Sequence, residues 1–404
     1  MFHIVLYRFK RVFHFFKTGL FQAFPAQIKH HFPEKKIKII AITGTDGKTT
    51  SAMLLHHVLN QTGLKVGLIS TVGTYVGSKL QPIGFHITAP QPKDLYSYLA
   101  KMVASGCEYV VLETTSHGLY QYRNWGIKPA IAGLTNVASE HLDYHRTKEL
   151  YLEAKLLLFR RAKVSVLNAD DESFQIINKS IPKNKIRSYS KNDSLPAIVT
   201  SAIMKKLPES YNQQNARLVF KICKELGVSA TNFARALPSF AGVPGRVQWL
   251  KTKKPFSVVI DFAHTPQGLG AVLTALRKIL KNNKQGRLIA VFGCAGLRDR
   301  QKRPIMGKIA TELADLAIFT AEDPRTEDVW SIIRQMKENL DSGHDKIISI
   351  ADRGEAIRFA LKKIAQPGDN VAILGKGHEQ SMCYGTTEVP WSDVEFATEI
   401  LNEK

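Results

Sequence analysis

The sequence is poor in cysteine and lacks the motifs that cysteine usually serves. Its four cysteines, Cys107, Cys223, Cys294 and Cys383, form no CxxC pair, which argues against a zinc ribbon or a CxxC redox site. Residues 1–36 contain no uninterrupted apolar run of about 18 residues, so a membrane-spanning helix is not expected there. We expect a folded cytoplasmic protein with reduced thiols.

Acidic residues are also scarce relative to basic ones. The 404 residues include 56 Lys and Arg against 35 Asp and Glu, a formal net charge of +21. This excess fits an anionic partner such as a nucleotide, a nucleic acid or a lipid headgroup, and charge alone does not choose among them. No RNA- or DNA-binding motif is visible, and aromatic residues do not interleave with Lys and Arg on a predicted sheet, so we expect no nucleic-acid partner.

The first 36 residues differ in composition from the rest. They hold seven Lys or Arg, eight Phe and one acid, Glu34. Arg8, Lys10 and Arg11 interrupt any apolar core of a secretory signal. Two interpretations remain open: a helix that packs its aromatic residues on the domain behind it, and a basic amphipathic helix in peripheral contact with an anionic membrane.

From Lys38 onward, short β-branched runs alternate with helical patterns, which predicts parallel sheets covered on both faces. Pro182–Glu209, rich in Lys and with scattered Pro and Ser, is predicted to be loop, and Asn212–Leu226 is predicted to be a helix. Residues 240–249 are predicted to join two domains. The predicted strands are residues 36–43, Val66–Ser70, Tyr109–Glu113, Ala130–Thr135, Lys163–Leu167, Phe256–Asp261, Arg287–Gly293, Leu316–Thr320, Lys346–Ile350 and Asn370–Leu374.

The segment "AITGTDGKTTSA" (residues 41–52) has most of a phosphate-binding loop. Gly47-Lys48-Thr49 fits the end of G-x-x-x-x-G-K-[ST], but Ile42 occupies the position of the first glycine. A strand, a glycine-rich turn and a Lys-Thr pair opening a helix direct backbone N–H groups and a cation at phosphate. Polar motifs also follow most other predicted strands, and ligands of open α/β sheets bind beyond the carboxyl ends of strands. We therefore expect a cleft there that binds ATP.

The form Gly44-Thr45-Asp46-Gly47-Lys48-Thr49-Thr50 resembles the loop of the Mur ligases, ATP-dependent amide-forming enzymes of cell-wall synthesis. The resemblance runs from about Lys38 to Glu399 through "LETTSHGLYQYR", "LTNVASEHLDYH", "YLEAKLLLF", "LNADD", "YNQQNA", "VPGR" and "DFAHTP". It implies an α/β fold in which a P-loop-type parallel-sheet ATPase domain precedes a Rossmann-like α/β domain. The implied boundaries are 1–37 for the basic segment, 38–240 for the central domain and 241–404 for the C-terminal domain.

The resemblance also implies site residues. The implied catalytic residues are Lys48, Glu113, His141 and Lys155, and the implied metal ligands are Thr49, Glu113, His141 and Lys155. The implied nucleotide contacts are Gly44, Thr45, Asp46, Gly47, Lys48, Thr49, Thr50, Asn136, Asn212, Asn215, Arg246, Asp261 and His264. The implied substrate contacts are Thr88, Ser116, Arg123, Arg298, Glu322, Asp323, Arg325, Gly375 and Glu379.

Two Mg²⁺ ions and a carbamylated Lys155 are the implied cofactors beside ATP. From its sequence alone, Lys155 could equally lie on the polar face of an amphipathic helix. In the proposed chemistry, ATP activates a carboxylate as an acyl phosphate, and cations offset the charge that spreads over the phosphoryl group. The family's domain closure would need a hinge, which "AGVPGR" (residues 241–246) can provide.

Within the family, "GCAGLRDRQKRP", "EDPR" and "GKGHE" are most similar to the branch that adds the third residue, a diamino acid, to UDP-N-acetylmuramoyl-L-alanyl-D-glutamate. We expect a monomer acting on small molecules, with meso-diaminopimelate as the amino acid added. Three departures bear on this expectation. The family's N-terminal domain, which holds the UDP end of the acceptor, has no counterpart in the sequence; Asp46 replaces the commoner Asn; and Asp323 stands where "DNPR" has Asn.

Three alternatives stay open at this point. The same chemistry could use L-lysine, whose distal ammonium Asp323 could receive. It could also use a different acceptor, as in a polyglutamate-adding enzyme or another Mur-like ligase. A basic P-loop ATPase that binds nucleic acid is the third alternative and the one with least support in the motifs.

Overall fold

The computed structural model describes residues 2–76, 79–81, 89–138, 140–283, 286–338, 340 and 344–403. The chain forms two compact units, Met1–Ala241 and Gly242–Lys404. Each unit has its own sheet and its own apolar core.

The first unit opens with consecutive helical segments. They are α1 Phe2–His14, a π-helical stretch Phe15–Ala23, α2 Phe24–Lys29 and a 3₁₀ turn Pro33–Lys35. One side of this segment packs on the unit, with Tyr7 and Ala23 buried, while Phe9 and Phe21 are exposed. The interpretation that this helix packs its aromatic residues on the domain behind it is therefore correct for Tyr7 and wrong for several phenylalanines.

The sheet of the first unit has, among the described residues, the order β4-β3-β2-β5-β1-β6-β7-β8. β3 pairs antiparallel with both β2 and β4, and the other neighbours pair parallel. The strands are β1 Lys38–Thr43, β2 Val66–Ser70, β3 Gly73–Val76, β4 Lys79–Gln81, β5 Tyr109–Glu113, β6 Ile131–Leu134, β7 Val164–Asn168 and β8 Ile186–Tyr189.

Helices cover both faces of this sheet. Successive strand residues face opposite sides, and Ile39 of β1 lies in a buried cluster with Leu99 from a helix before β5. On the other face, Leu218 and Ile222 approach Gly133 of β6 beside Ile42, where the absence of a side chain lets the helix come close. The helices are α3 Lys48–Gln61, α4 Pro92–Ala104, α5 Ser116–Tyr120, α6 Leu142–His145, α7 Lys148–Arg161, α8 Phe174–Ser180, α9 Ala197–Lys206, α10 Ser210–Glu225 and α11 Ala230–Ala236, with 3₁₀ turns at Lys183–Lys185 and Leu237–Ser239.

One predicted loop is wrong. Pro182–Glu209 contains strand β8 and helix α9. β8 is a short edge strand with only Tyr189 fully buried, so its apolar alternation is weak in the sequence. Pro196 immediately precedes α9, where its fixed φ suits a helix start although proline usually marks a break.

The second unit is a parallel sheet with one antiparallel edge strand, in the order β13-β12-β11-β14-β10-β9, and a separate hairpin of β15 and β16. Its strands are β9 Gln248–Trp249, β10 Ser257–Asp261, β11 Leu288–Phe292, β12 Leu316–Phe319, β13 Ile347–Ser349, β14 Asn370–Leu374, β15 Ser381–Tyr384 and β16 Thr387–Pro390. Its helices are α12 Pro266–Asn283, α13 Lys302–Leu313, α14 Val329–Met336, α15 Arg353–Phe359 and α16 Asp393–Asn402, with a π-helical stretch Ala360–Ile364 and a 3₁₀ turn His344–Lys346.

Alternation along the strands separates two cores in this unit. Val259 of β10 and Ala290 of β11 join α12, α13 and α14, whereas Ile260 and Val291 join α15 and α16. The predicted α/β fold class, a parallel sheet covered on both faces in each half of the chain, is confirmed. The hairpin and the antiparallel edge strands were not predicted.

A buried ion pair ties the second sheet to its last helix. Arg353, at the start of α15, makes two bonds to Asp393 at 2.6 and 2.8 Å, and both side chains are fully buried. Arg353 also donates to Ala321 O, two residues beyond β12, and to Leu374 O, at the last residue of β14. The guanidinium therefore satisfies carbonyls at the carboxyl ends of two strands while it holds α16 in place.

We predict that Arg353→Met destabilises the second unit by about 3–5 kcal/mol, because it leaves Asp393 as a buried charge without its counter-ion. Arg358→Met, on the same helix, removes a partly exposed pair with Glu403 and should cost no more than about 1 kcal/mol. Urea unfolding of the full chain, with hydrogen exchange of peptides from the second unit, measures both. Equal losses of stability in the two variants would contradict the role of Arg353 as the buried counter-ion of Asp393.

Candidate functional site

The loop after β1 has the backbone of a phosphate cradle. Gly44 and Gly47 both have positive φ, of 156° and 77°. A Cβ on Gly44 would lie 1.7 Å from Thr135 Oγ1, and one on Gly47 would lie 2.3 Å from Asn215 Oδ1. Neighbouring side chains thus fill the space beside both glycines, so no larger residue fits at either position.

Asn136, which follows β6, holds this loop open. Its Oδ1 accepts hydrogen bonds from Thr45 N at 3.2 Å and Asp46 N at 2.9 Å. Thr135 Oγ1 donates to Asp46 O at 2.6 Å, and the Thr45 hydroxyl lies 3.0 Å from Tyr151 OH. Asn136 was predicted to contact the nucleotide. In the structure its side-chain oxygen instead accepts hydrogen bonds from the backbone of the loop.

Two lysines lie against the loop backbone. Lys48, the first residue of α3, donates from Nζ to Thr45 O at 2.5 Å. Lys155 of α7 donates to Gly44 O at 2.6 Å and is only 1% exposed, so its alternative as a surface-helix residue is wrong. Burial, together with the nearby charge of Lys48, lowers the pKa of Lys155 well below its ordinary value. The amine of Lys155 is therefore held toward its neutral form.

Glu113 and Thr49 form an oxygen pair beside the loop. Glu113 ends β5 and lies next to Ile42 of β1 in the sheet register. Its Oε1 accepts from Thr49 Oγ1 at 2.9 Å, and its Oε2 accepts from Thr71 N at 2.9 Å. A carboxylate and a hydroxyl at the N-terminus of α3 are the hard donors that Mg²⁺ prefers, and Mg²⁺ usually takes few protein ligands and completes its shell with phosphate and water.

His141 is the fourth implied metal ligand. It begins α6 in a left-handed conformation, with φ of 55°, and its Nε2 lies 3.6 Å from Glu140 Oε2. Its ring is 4.7 Å from that of His117, centroid to centroid. Within the described ranges, no group of three or more His, Cys, Asp or Glu side chains could hold a metal ion without other ligands.

Two of the implied substrate contacts, Ser116 and Arg123, are anchored in the same unit. Arg123 donates to Ala89 O at 2.7 Å and to Gln121 Oε1 at 2.9 Å. Ser116, at the start of α5, is buried, and its Oγ lies 3.0 Å from His145 Nε2. Thr88 lies outside the described residues.

Sequence reasoning missed a hydrogen-bonded chain that reaches Ser116 from the N-terminal segment. Tyr7 OH lies 2.7 Å from His145 Nδ1, and the other ring nitrogen of His145 contacts Ser116. Burial, with lesser contributions from His141 and Lys155, lowers the pKa of His145 to about 3, so the ring is neutral. Tyr7 and His145 are 138 positions apart, and no local pattern in the sequence connects them.

Asn212 and Asn215 lie one turn apart on α10 and are linked by a hydrogen bond. Asn215 Nδ2 donates to Asn212 Oδ1 at 3.3 Å, and Asn212 Nδ2 donates to Glu209 Oε2 at 3.1 Å. Because the Asn215 amide lies against Gly47, the structure brings at least one of these predicted nucleotide contacts to the phosphate loop.

In the second unit, Asp261 joins two predicted nucleotide motifs. It ends β10, and its two oxygens accept from Val247 N and Ala263 N, both at 2.7 Å. Burial raises the pKa of this carboxyl. Arg246 lies over the ring of Phe262, 4.3 Å from its centroid, and His264 Nδ1 lies 3.0 Å from Phe262 O.

Two implied substrate contacts of the second unit, Asp323 and Glu379, enclose a lysine that was not predicted. Lys376 is fully buried and lies 2.8 Å from Asp323 Oδ1 and 2.5 Å from Glu379 Oε2. Burial disfavours its charge, but Glu379 and Asp323 outweigh that effect and raise the pKa of Lys376 above its ordinary value. The signal was present in "GKGHE", where a lysine stands two residues after the end of the buried strand β14.

Arg325 and Glu322 flank this cluster. Arg325 has φ of 53° and donates from Nη1 to Gly296 O at 2.8 Å. Glu322 is buried, which raises the pKa of its carboxyl. Gly375 leaves the space that Glu322 needs, because a Cβ there would lie 2.4 Å from Glu322 Oε2. Arg298 is exposed on the loop after β11.

The fold and this loop define a P-loop-type nucleotide-binding α/β protein. The Mur ligase middle domain family matches residues 42–228, and the family described as Mur ligase, glutamate ligase domain matches residues 245–377. The chain belongs to the Mur ligase family.

Relatives with this family's names are similar along most of the chain. The chain is 37% identical over 392 residues to the UDP-N-acetylmuramoyl-L-alanyl-D-glutamate–2,6-diaminopimelate ligase of Clostridium botulinum, a match covering 92% of this chain and 79% of that protein. A solved structure bearing the same enzyme name matches with a TM-score of 0.60 and 29% identity, covering 93% of this chain and 82% of that one. Folylpolyglutamate synthase of Mycobacterium tuberculosis, complexed with ADP and AMPPCP, matches at a TM-score of 0.68 and 15% identity, with 94% of both chains covered, and shares the fold.

We predict that Lys48→Ala weakens ATP binding by about 1.5–3 kcal/mol, the usual contribution of a hydrogen bond to a charged group, and abolishes measurable turnover. Titration calorimetry measures the affinity, and circular dichroism checks the fold. Lys101→Ala, on the exposed face of α4 in the same unit, is the matched control and should leave the affinity unchanged. If Lys48→Ala bound ATP as tightly as the wild type, the hypothesis that this loop binds the phosphates of ATP would be wrong.

Proposed function

We propose that this chain forms an amide bond at the expense of ATP, adding meso-diaminopimelate to UDP-N-acetylmuramoyl-L-alanyl-D-glutamate in peptidoglycan synthesis. The observation that carries the proposal is 35–37% identity across 92% of the chain to proteins named for that reaction. The Gly44–Thr50 loop, with Thr49 bonded to Glu113, supports the ATP part of it. We assign residues 38–240 to the ATP-binding domain and 241–404 to the C-terminal domain of such a ligase.

Two displacements make up the proposed reaction. A carboxylate oxygen of the acceptor attacks the γ-phosphorus of ATP, the bond to the β–γ bridging oxygen breaks, and ADP leaves. The amine nitrogen of the diamino acid then attacks the acyl carbon, the bond from that carbon to the phosphate oxygen breaks, and inorganic phosphate and a proton leave. Both displacements spread negative charge over oxygens, which fixed cations and N–H donors stabilise.

The proposed role of the loop is to hold the phosphates while Lys48 offsets their charge. Thr49 and Glu113 are proposed to hold Mg²⁺, with His141 and Lys155 near a second ion; bound there, Mg²⁺ would neutralise phosphate charge. Asn136 would act mainly through the loop, since its amide oxygen is already bonded to two loop amides. The other proposed nucleotide contacts are Asn212, Asn215, Arg246, Asp261 and His264.

We further propose that Lys155 is carbamylated. Carbamylation requires a neutral amine, and burial already holds Lys155 toward that form. The positive charge of Lys48, which opposes an ammonium at Lys155, would stabilise a carbamate anion at the same place. The modification would thus convert an unfavourable pair of like charges into a favourable pair of opposite charges and add oxygen donors beside the loop.

For the diamino acid, we propose that Arg325 binds the distal carboxylate of meso-diaminopimelate. The described side-chain bonds of Arg325 all use Nη1, which leaves Nε and Nη2 for a two-pronged pair. Asp323 has its Oδ1 engaged by Lys376 Nζ and Cys383 N, which reduces its repulsion of a substrate carboxylate. The remaining proposed substrate contacts are Thr88, Ser116, Arg123, Arg298, Glu322, Gly375 and Glu379.

We also propose that the protein acts as a monomer in the cytoplasm, with residues 1–36 as the part that contacts a membrane. In the described part of the chain, no helix has both the length and the apolar character needed to cross a bilayer.

We predict that purified protein supplied with bicarbonate labelled with ¹³C shows a carbamate carbon resonance that Lys155→Ala lacks. Activity lost in Lys155→Ala should be partly restored by a short carboxylic acid, which replaces the missing oxygen donors. Lys148→Ala, seven residues earlier on α7 and exposed, is the control and should keep the resonance. Absence of the resonance in the wild type, with full activity in Lys155→Ala, would refute the modification.

The substrate assignment predicts phosphate release from ATP with the acceptor UDP-N-acetylmuramoyl-L-alanyl-D-glutamate and meso-diaminopimelate, and much less with L-lysine. Arg325→Ala should weaken meso-diaminopimelate binding by about 2–5 kcal/mol, the cost of truncating one partner of a buried charge pair, and change lysine binding little. Arg334→Ala, an exposed arginine of α14, is the matched control. A wild-type preference for lysine would overturn the assignment, and Asp323 would then be the residue to test.

A further inference from the structure

The N-terminal helical segment, residues 2–29, is attached to the first unit by one side only. On that inner side, Gly19 packs against Tyr122 and Trp125, and Gln27 Nε2 donates to Trp125 O at 2.7 Å. Tyr7 is buried and bonded to His145. These contacts fix the orientation of the segment, so its opposite side cannot turn inward without breaking buried hydrogen bonds.

The opposite side carries large apolar side chains that the first unit does not cover. Phe9 is 73% exposed and Phe21 is 70% exposed. Single exposed apolar residues are ordinary, but a contiguous row of them marks an interaction surface. Leu6, Phe9, Phe13 and Phe16 follow each other at spacings of three and four, which places them on one helix face. We call the following residues the outer face: Leu6, Phe9, Val12, Phe13, Phe16, Phe21, Phe24 and Ile28.

The charged side chains of the segment itself, up to residue 33, all have one sign. Residues 1–33 contain no acidic side chain, and Arg8, Lys10, Lys17 and Lys29 are exposed. At 100° per residue, Arg8 and Lys10 fall at opposite edges of the apolar row. Long basic side chains at such edges can lay their alkyl stems along an apolar layer and keep their charges at its polar boundary.

The composition of the segment favours a bilayer surface over its interior. Arg8, Lys10, Arg11 and Lys17 interrupt its apolar residues, and no helix among the described residues is long and apolar enough to cross a bilayer. The basic residues within it would be costly to bury at the centre of a bilayer. A helix with an apolar face and a basic border lies in the interface plane, with the apolar side chains among the acyl chains and the cations near anionic headgroups.

We propose that the outer face docks this protein onto a bilayer surface that contains anionic phospholipid. The aromatic side chains enter the headgroup–acyl boundary, and Arg8, Lys10 and Lys17 bind phosphate groups. The inner side stays on the first unit, so the whole chain is carried to the membrane while the segment remains folded.

Sedimentation of the full chain with two kinds of vesicle tests the proposal: phosphatidylcholine alone, and phosphatidylcholine mixed with phosphatidylglycerol. We expect binding to the mixed vesicles at low ionic strength, and binding at least tenfold weaker when phosphatidylglycerol is omitted or salt is raised, because exposed charges are screened within about 10 Å at 0.1 M salt. Equal binding to both vesicles, or no binding to either, would overturn the proposal.

Two sets of variants separate the apolar and the basic contributions. The outer-face variant Phe9→Gln, Phe13→Gln, Phe21→Gln should weaken vesicle binding about a hundredfold or more, and its control removes exposed apolar side chains elsewhere, Ile198→Gln, Met204→Gln, Trp330→Gln. The basic variant Arg8→Gln, Lys10→Gln, Lys17→Gln should weaken it about a hundredfold, and its control is Lys205→Gln, Lys251→Gln, Lys253→Gln, which makes the same change in net charge.

Both controls should bind vesicles as the wild type does. If a control loses binding as its matched variant does, general apolarity or net charge carries the effect and the outer face does not dock. Sedimentation without lipid supplies the other decisive outcome. Concentration-dependent dimerisation that the outer-face variant abolishes, with no vesicle binding by the wild type, would make this face an interface between two copies of the chain.

Discussion

The hydrogen bonds from the loop amides Thr45 N and Asp46 N to the side chain of Asn136 are the interaction on which the first unit's site depends. A loop that leaves a parallel strand loses its ladder partners, and its buried N–H groups need others. Asn136 supplies one acceptor for two of them, since it leaves the neighbouring strand β6 at the same edge of the sheet. The remaining loop amides and the start of α3 then stay directed at an anion.

The charges near this loop follow from the same geometry. Gly44 must lack a side chain because Thr135 lies against it, and its carbonyl is then open to Lys155 from α7. A buried amine beside Lys48 is poorly placed as an ammonium, since both burial and a like charge oppose it. A side chain without positive charge at Lys155 therefore suits the position better than an ammonium. A lysine on a solvent-exposed helix face would not have this preference, because it would not be buried.

The second unit meets a similar demand with a fully buried lysine. Lys376 follows β14 and is enclosed by Asp323 and Glu379, so three charged groups leave a small net charge. This ion pair changes the expected electrostatic effect of Asp323. In the sequence it is an acid in the place of an amide, facing a substrate; in the structure its charge is shared with a lysine two strands away along the sheet. The charge at Asp323 is therefore balanced by a group outside the "EDPR" motif.

Much of the protein could be predicted from sequence because the relevant signals are local. Buried parallel strands are continuous apolar runs, which located β2, β5 and β14 to the residue, and the glycines and Lys-Thr pair of the phosphate loop are consecutive. The edge strand β8 was missed because a half-exposed strand needs little apolar patterning, and helix α9 was missed because the proline before it suggested a break. The contacts that decide protonation and orientation, Tyr7 with His145, Lys155 with Gly44 and Lys376 with Asp323, join residues far apart in the chain. Only the tertiary structure could decide them, because burial and charge pairing depend on which chain segments the fold brings together.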